Sequence, residues 1–365
     1  MSKVNRNIFL ILGILILGLF AWYFGALLGY ILIAAVVALI GRPLLRLMDK
    51  VQIRGKKIPD ALQAVLALLL IIGTILLIFG TFIPPLVNQL NKIQKVANSN
   101  TLAQGLGDPI KTIEMYNDQF GFIPEGQSVP DYIRNNINKI LNGAKVSNIL
   151  SSIVGFTGDF LIASFSILFI AFFFLKERGL MHNIVMTLTP SRFAEEVNNI
   201  LEHTKDLLTR YFIGVILEVL IVGGLISIGL GLLGVENAFV IGFFAGLFNV
   251  IPYLGPLIGG VVGIVFAVLG ALEMDFNSYI LPLALKVLVV FAVVQMIDNF
   301  VLQPFIYSSS VKAHPLEIFL VILMAGNVAG VGGMILAIPV YTILRVIAKE
   351  FFDQFRIVQS ITKDL

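Results

Sequence analysis

Apolar runs divide the chain at 8–24, 26–41, 61–83, 153–175, 211–233, 238–272, 279–302 and 316–347. A helix needs about 20 residues, at about 1.5 Å each, to cross about 30 Å of hydrocarbon. Segments 61–83, 153–175, 211–233 and 279–302 have that length, and each predicts one spanning helix. Segments 8–24 and 26–41 are shorter, with only Gly25 between them. They predict a tight hairpin, with one long bent helix as the alternative.

The segments 238–272 and 316–347 fit neither one span nor two. The first is interrupted at 249–256 by Pro252, Gly255 and Pro256, and the second at 326–333 by GNVAGVGG. The first break leaves limbs of roughly 17 Å and 24 Å, the second limbs of roughly 15 Å and 21 Å. Such limbs predict two helical hairpins, each entering and leaving the membrane on one side. Non-helical backbone at membrane depth is tolerated where protein or a water-filled cavity surrounds it, so both breaks are candidate walls of a solute site. Paired interrupted helices are a pattern of secondary transporters, although two greasy segments can also resemble each other by chance.

The polar remainder fits this picture. Residues 84–150 form the only sizeable hydrophilic stretch, with amphipathic patterns at 84–99 and 130–150 and turn signals at 105–109 and 121–130. Such helices rest on a membrane surface or on a neighbouring subunit. Residues 190–210 predict a further amphipathic helix, capped by Ser191 after Pro190. The expected fold is an all-α integral membrane protein with about six spanning helices. Two re-entrant helical hairpins and a small extracellular region of amphipathic helices complete it. Its parts are 1–83, N-terminal helices with a basic loop; 84–150, the extracellular region; and 151–365, a transport domain holding both hairpins.

Composition agrees: 58% of residues are hydrophobic and 13% charged, against about 25% charged in soluble domains. Loop 41–60 holds Arg42, Arg46, Lys50, Arg54, Lys56 and Lys57 against Asp49 and Asp60. The positive-inside rule therefore puts that loop and both termini in the cytoplasm. In this topology 18 of the 25 basic residues are cytoplasmic, six are external, and Lys286 lies in a span. The two hairpins then enter from opposite faces. Clustering of the basic residues in loops points to membrane orientation rather than to nucleic acid. Lys3 and Arg6 before an apolar run imitate a signal peptide, but Trp22, Tyr23 and Phe24 follow in place of small residues, which predicts a retained helix.

Ionisable residues within spans point to function by default; here they are Asp159, Glu218, Lys286 and Asp298. Gln295, Asp298, Asn299 and Gln303 share one helical face. An aspartate there can carry a proton, or the polar stripe can bind helices together. Glu218 can pair with Lys286 across helices, for ion coupling or for structure alone. Asp159, near a span end, suits the interface. His182, His203 and His314 lack metal-ligand spacing, so no metal or other cofactor is expected. The chain has no cysteine, which excludes disulfide and thiolate chemistry. It also lacks HExxH, GxSxG and P-loop motifs. GFTGD at 155–159 departs from an intramembrane aspartyl protease motif at Phe156, so an enzyme is not expected.

The ordered motifs RYFIG (210–214), LGV (233–235), GFFAGLFNVIPYLGPLIGG (242–260), QMIDNFVLQPFI (295–306), VKAHPLEIF (311–319) and GNVAGVGGMILAIPV (326–340) resemble the AI-2E transporter family. The N-terminal third matches in pattern only. That resemblance implies a bacterial inner-membrane permease without ATP, forming a homo-oligomer, with a pentamer described for one member. The family includes exporters of autoinducer-2 and Na⁺/H⁺ antiporters. Carried over to this chain, it implies a route near Asn249, Pro252, Tyr253, Gly255, Pro256, Gln295, Asn299, Pro304, His314, Pro315, Gly326, Asn327, Gly330 and Gly332. Asp298, Glu218 and Lys286 are the expected ion-coupling residues. The family's acidic residue before Asn corresponds to Asp298–Asn299, a shorter carboxylate with less reach. Three functions follow: export of a small polar solute, Na⁺(Li⁺)/H⁺ exchange, and a non-transporting scaffold whose 84–150 region binds partners.

Overall fold

The computed structural model describes residues 19, 23–53, 56–98, 107–121, 123–124, 126–132, 135–136, 139, 158–271, 274–307 and 313–362. Its elements are almost all helical. In chain order they are α1 (Gly25–Met48), a two-residue β-ladder of β1 (Gln52–Ile53) and β2 (Lys56–Lys57), α2 (Asp60–Asn98), α3 (Gly107–Phe120) and α4 (Gly158–Lys176). Then come α5 (Leu180–Leu188), α6 (Ala194–Leu232), α7 (Ala238–Phe248), α8 (Leu254–Leu269) and α9 (Leu281–Ile297). The last are α10 (Gln303–Tyr307), α11 (Pro315–Phe352) and α12 (Arg356–Thr362). By length and composition alone, five helical stretches among the described residues could cross a membrane, α11 counting as one although its backbone breaks at Ala329 and Gly330, and the α4–α5 pair, bent by 90°, makes a sixth candidate. The protein is an all-α integral membrane protein. The limb expected at 8–24, the helix at 130–150 and the GFTGD motif lie wholly or largely outside the described residues.

Three boundaries differ from the hydropathy reading. Helix α1 continues through Pro43 to Met48, so Arg42 and Arg46 stand on a helix rather than in a loop. Helix α2 runs unbroken through Pro84 and Pro85, where a span was expected to end. Those prolines remove two N–H donors but do not stop the helix. Helix α6 likewise joins the expected amphipathic helix to the expected span, and Ser191 starts a short 3₁₀ turn instead of acting as a cap. Hydropathy changes where a helix would leave the lipid, while the backbone needs no break there.

The chain forms two compact units. The first holds residues up to 74 and 156–198. Its core of Ala34, Ala38, Leu45, Ala64, Ala67, Leu68, Ala171 and Leu175 is rich in alanine. Small residues let helices approach closely where lipid gives no hydrophobic drive. A polar clasp closes one end. The Arg178 guanidinium donates to both Asp49 oxygens at 2.6 and 2.8 Å, to Asp60 at 3.3 Å and to the buried Gln63 at 3.1 Å. Gln63 donates in turn to Asp49 and to the Ile58 carbonyl.

The hydrogen bonds from Arg178 hold the Asp49 carboxyl down to about 2 against an opposing desolvation, with a smaller contribution from Gln63. Asp49 raises the Arg178 guanidinium. A depressed carboxylate stabilises the fold above its unfolded value, about 3.9, and loses that contribution as pH falls through the folded one. Arg178→Gln is therefore expected to lower the melting temperature at pH 7. The gap between variant and parent should persist from pH 5 to 9 and shrink only as pH falls from about 4 towards 2. Melting curves of both proteins across that range check it.

The second unit holds 75–155 and 199–365. Here α6 packs on α7 through glycines. A Cβ at Gly246 would strike the Val219 carbonyl, and one at Gly223 would lie 3.0 Å from the Gly242 carbonyl. Helices α7 and α8 double back on each other, with Gly259 against Ala245 and Gly263 against Ile241. Val222, Ile226, Leu230, Ile241, Phe266 and Val287 form the buried centre of this packing.

Helix α11 also doubles back. Its backbone leaves the helical region at Ala329 (φ −134°, ψ 19°) and at Gly330 (φ 59°, ψ −147°), a left-handed φ that glycine adopts without a Cβ clash. Tyr341 donates to Glu317 at 2.8 Å. In a continuous helix those residues would stand about 36 Å apart. The region 316–347 is thus two antiparallel limbs, as its length required.

Candidate functional site

At the turn between α7 and α8 the sequence NVIPYLGP stops one helix and starts another. Asn249 closes α7, and its amide nitrogen reaches Glu218 of α6 at 3.1 Å and Asp298 at 3.3 Å. All three are buried, with Glu218 and Asn249 2% exposed and Asp298 0%. Two carboxylates thus share one amide inside an apolar helix packing.

Asp298 opens a π-helical turn, Asp298–Leu302, that continues α9. A π turn adds one residue per turn and occurs often at functional sites. The altered register brings Gln303 over Asp298, where its amide donates to Oδ2 at 2.9 Å. Gln295 donates to the same oxygen at 3.3 Å and to Asn299 at 2.9 Å. The other oxygen, Oδ1, is buried and has no hydrogen-bond partner among the described residues. A small cavity, large enough for about one water molecule, lies beside the group and is lined by Val222, Ile226, Asn249, Pro256, Phe291 and Gln295 among others.

The turn itself is constrained. Leu254 N–H donates to the Pro252 carbonyl at 2.8 Å, and Tyr253 between them has φ 67° and ψ −50°. This is the rare, strained form of γ-turn, and a bulky residue at positive φ is an outlier. Gly255 follows where a Cβ would overlap the Phe248 carbonyl. Pro252 and Gly255 are buried and Tyr253 is partly exposed. The Tyr253 ring meets Phe319 of α11 edge-on at 5.8 Å.

The structure therefore brings together Glu218, Asn249, Gln295, Asp298 and Asn299 of the expected residues, with Pro256 on the cavity wall. Gln303, expected on the same polar face, joins them. Lys286 does not join: it is exposed, about 18 Å along the helix from Asp298. Gly326, Asn327 and Gly330 are at the tip of the second hairpin, where Asn327 and Gly330 are exposed. That tip lies about 12–16 Å along the limb from Phe319, where the tip of the first hairpin rests. His314 caps α11, its ring nitrogen accepting from Leu316 N–H at 3.2 Å. The Glu317–Tyr341 bond and the Arg178 clasp were not foreseen, because each joins residues far apart in sequence.

Several apolar helices of membrane-crossing length define the class: a multi-pass membrane protein. The chain belongs to the AI-2E family of transporters, whose pattern it matches over residues 9–353. It is 28% identical over 320 residues to "Putative transport protein YueF" of Bacillus subtilis strain 168, covering 86% of this chain and 81% of that one. It is also 28% identical to "Putative transport protein YrrI" of the same strain, over 82% of this chain and 80% of that one. "Putative permease PerM" of Escherichia coli K12 is 24% identical over 55% of this chain and 56% of its own.

Proposed function

We propose that this transporter is a secondary permease that moves a small polar solute past the tip of the first hairpin, with Asp298 and Glu218 coupling the movement to H⁺ or Na⁺. One observation carries the reading: two buried carboxylates meet at one amide, on a broken helix, in a membrane protein. Charge at that depth is costly and is kept where it serves a route or a relay. Asn249, Tyr253, Gln295 and Asn299 supply hydrogen bonds for a hydroxylated solute, and Pro252, Gly255 and Pro256 shape the turn. Autoinducer-2 is the solute that the family resemblance suggests. Contact between the tip of one hairpin and the open end of the other supports entry from opposite faces. The basic loop supports cytoplasmic termini in a bacterial inner membrane, with 84–150 outside, and a homo-oligomer follows from the resemblance.

Na⁺(Li⁺)/H⁺ exchange is the second reading. It is favoured by Asp298 Oδ1, a buried oxygen that accepts nothing from the described residues. The test is flux of autoinducer-2 and of Na⁺ in the same proteoliposomes across pH, with Asp298→Asn beside the parent. We expect the variant to lose the pH dependence and roughly ten-fold in rate, equivalent to about 1.4 kcal/mol of barrier. Unchanged pH-dependent flux would remove Asp298 from coupling. Flux of Na⁺ without autoinducer-2 would favour exchange.

A further inference from the structure

Glu317 and Tyr341 lie outside the buried carboxylate group, and their hydrogen bond joins the two limbs of the second hairpin near its open end. Phe319, two residues from Glu317, carries the Tyr253 ring of the first hairpin. Tyr253 is the residue held in the strained γ-turn. Asn249 and Pro256, on either side of it, line the cavity beside the carboxylates. Strained backbone persists only where its surroundings over-determine it, and it clusters at clamps and switches. Here Leu254 N–H to Pro252 and Gly255 N–H to Ile251 hold the turn from within, and from outside the Phe319 ring meets it on a limb that a hydrogen bond ties to its partner. The Arg345 guanidinium, one turn beyond Tyr341, sits 5.7 Å from that ring and keeps it in place.

We infer that the Glu317–Tyr341 hydrogen bond is a latch that positions Phe319 against Tyr253 and so keeps the tip of the first hairpin closed over the cavity. Breaking it frees the first limb of α11 to move from the second, and Tyr253 loses its seat. Relaxation of the γ-turn then shifts Asn249 and Pro256 and admits water. Glu317 and Tyr341 are positioning residues in this account: they act on access to the site rather than on the solute.

The absence of native cysteine makes the test direct. Val294→Cys puts the only thiol in the cavity wall, at a position 6% exposed. Labelling of the full chain in proteoliposomes by a water-soluble maleimide then reads access, whatever solute is carried. Tyr341→Phe removes the hydroxyl but keeps the ring, and Glu317→Ala removes the acceptor. Each should speed labelling roughly three- to ten-fold, the shift expected from losing one hydrogen bond. Glu317→Gln, whose amide oxygen still accepts, should stay near the parent rate. Leu230→Cys, at a wholly buried position away from the tip, reports general loosening. Acceleration at position 294 but not at 230 supports the latch. No acceleration at 294, equal acceleration at both, or Glu317→Gln behaving like Glu317→Ala overturns it. The latch presumes that the cavity is the transport site, yet labelling is read without transport. Its failure would leave the outcome of Asp298→Asn untouched.

Discussion

Asn249→Asp is expected to abolish transport and to destabilise the protein by about 3–5 kcal/mol, the range for breaking a buried charged pairing. The Asn249 amide donates to Glu218 and to Asp298 at once. An aspartate of the same shape removes both donations and adds a third carboxylate to a group with almost no solvent exposure. Asn249→Ala loses the donors without adding charge, while Gln295 and Gln303 still donate to Asp298, so it should cost less, about 1–3 kcal/mol. Asn249→Gln keeps an amide on a longer arm and should retain part of the flux. The order parent, Gln, Ala, Asp in thermal melts followed by light scattering, with flux in the same order, is the expected result. An Asp variant as stable as the parent would mean that the two carboxylates do not depend on this amide.

Much of this site could be read from spacing. Gln295, Asp298, Asn299 and Gln303 recur with a helical period, and the structure places them in one hydrogen-bonded group. Length arithmetic expected 238–272 and 316–347 to fold back, because limbs of roughly 15–24 Å fall short of a full span, and both segments double back in the structure. What could not be read has physical causes. The π turn at Asp298–Leu302, which sets the reach of Gln303, has no residue signature. Glu218 was legible as a costly charge, but its partner was not. Lys286 was the nearest opposite charge in the spans, whereas the group found by Glu218 is a neutral amide at a helix end. Apolar counting likewise misplaced the ends of α1, α2 and α6, since it records where lipid gives way to water rather than where helices stop. The Arg178 clasp brings together positions more than a hundred residues apart, beyond any local pattern.

Glycines look alike in such a sequence, and their environments separate them. Gly255 and Gly260 lie on the same helix, α8. A Cβ at Gly260 would meet only Phe291 Cδ1 at 3.8 Å, an ordinary contact. A Cβ at Gly255 would overlap the carbonyl of Phe248, a backbone atom that cannot rotate aside. That carbonyl accepts from Ile251 N–H at 3.0 Å within the turn, so moving it also moves Asn249 beside it. Gly255→Ala should therefore cost at least the 1–3 kcal/mol typical of overpacking, and it should stop transport by displacing the amide from the carboxylates. Gly260→Ala should be neutral, or gain up to about 1 kcal/mol from helix propensity. Melting temperature and flux of the two variants, measured side by side, make the comparison. A Gly255→Ala protein that melts and transports like Gly260→Ala would show that the hairpin can open at its tip without strain, and the close approach that holds Asn249 between Glu218 and Asp298 would then lose its role.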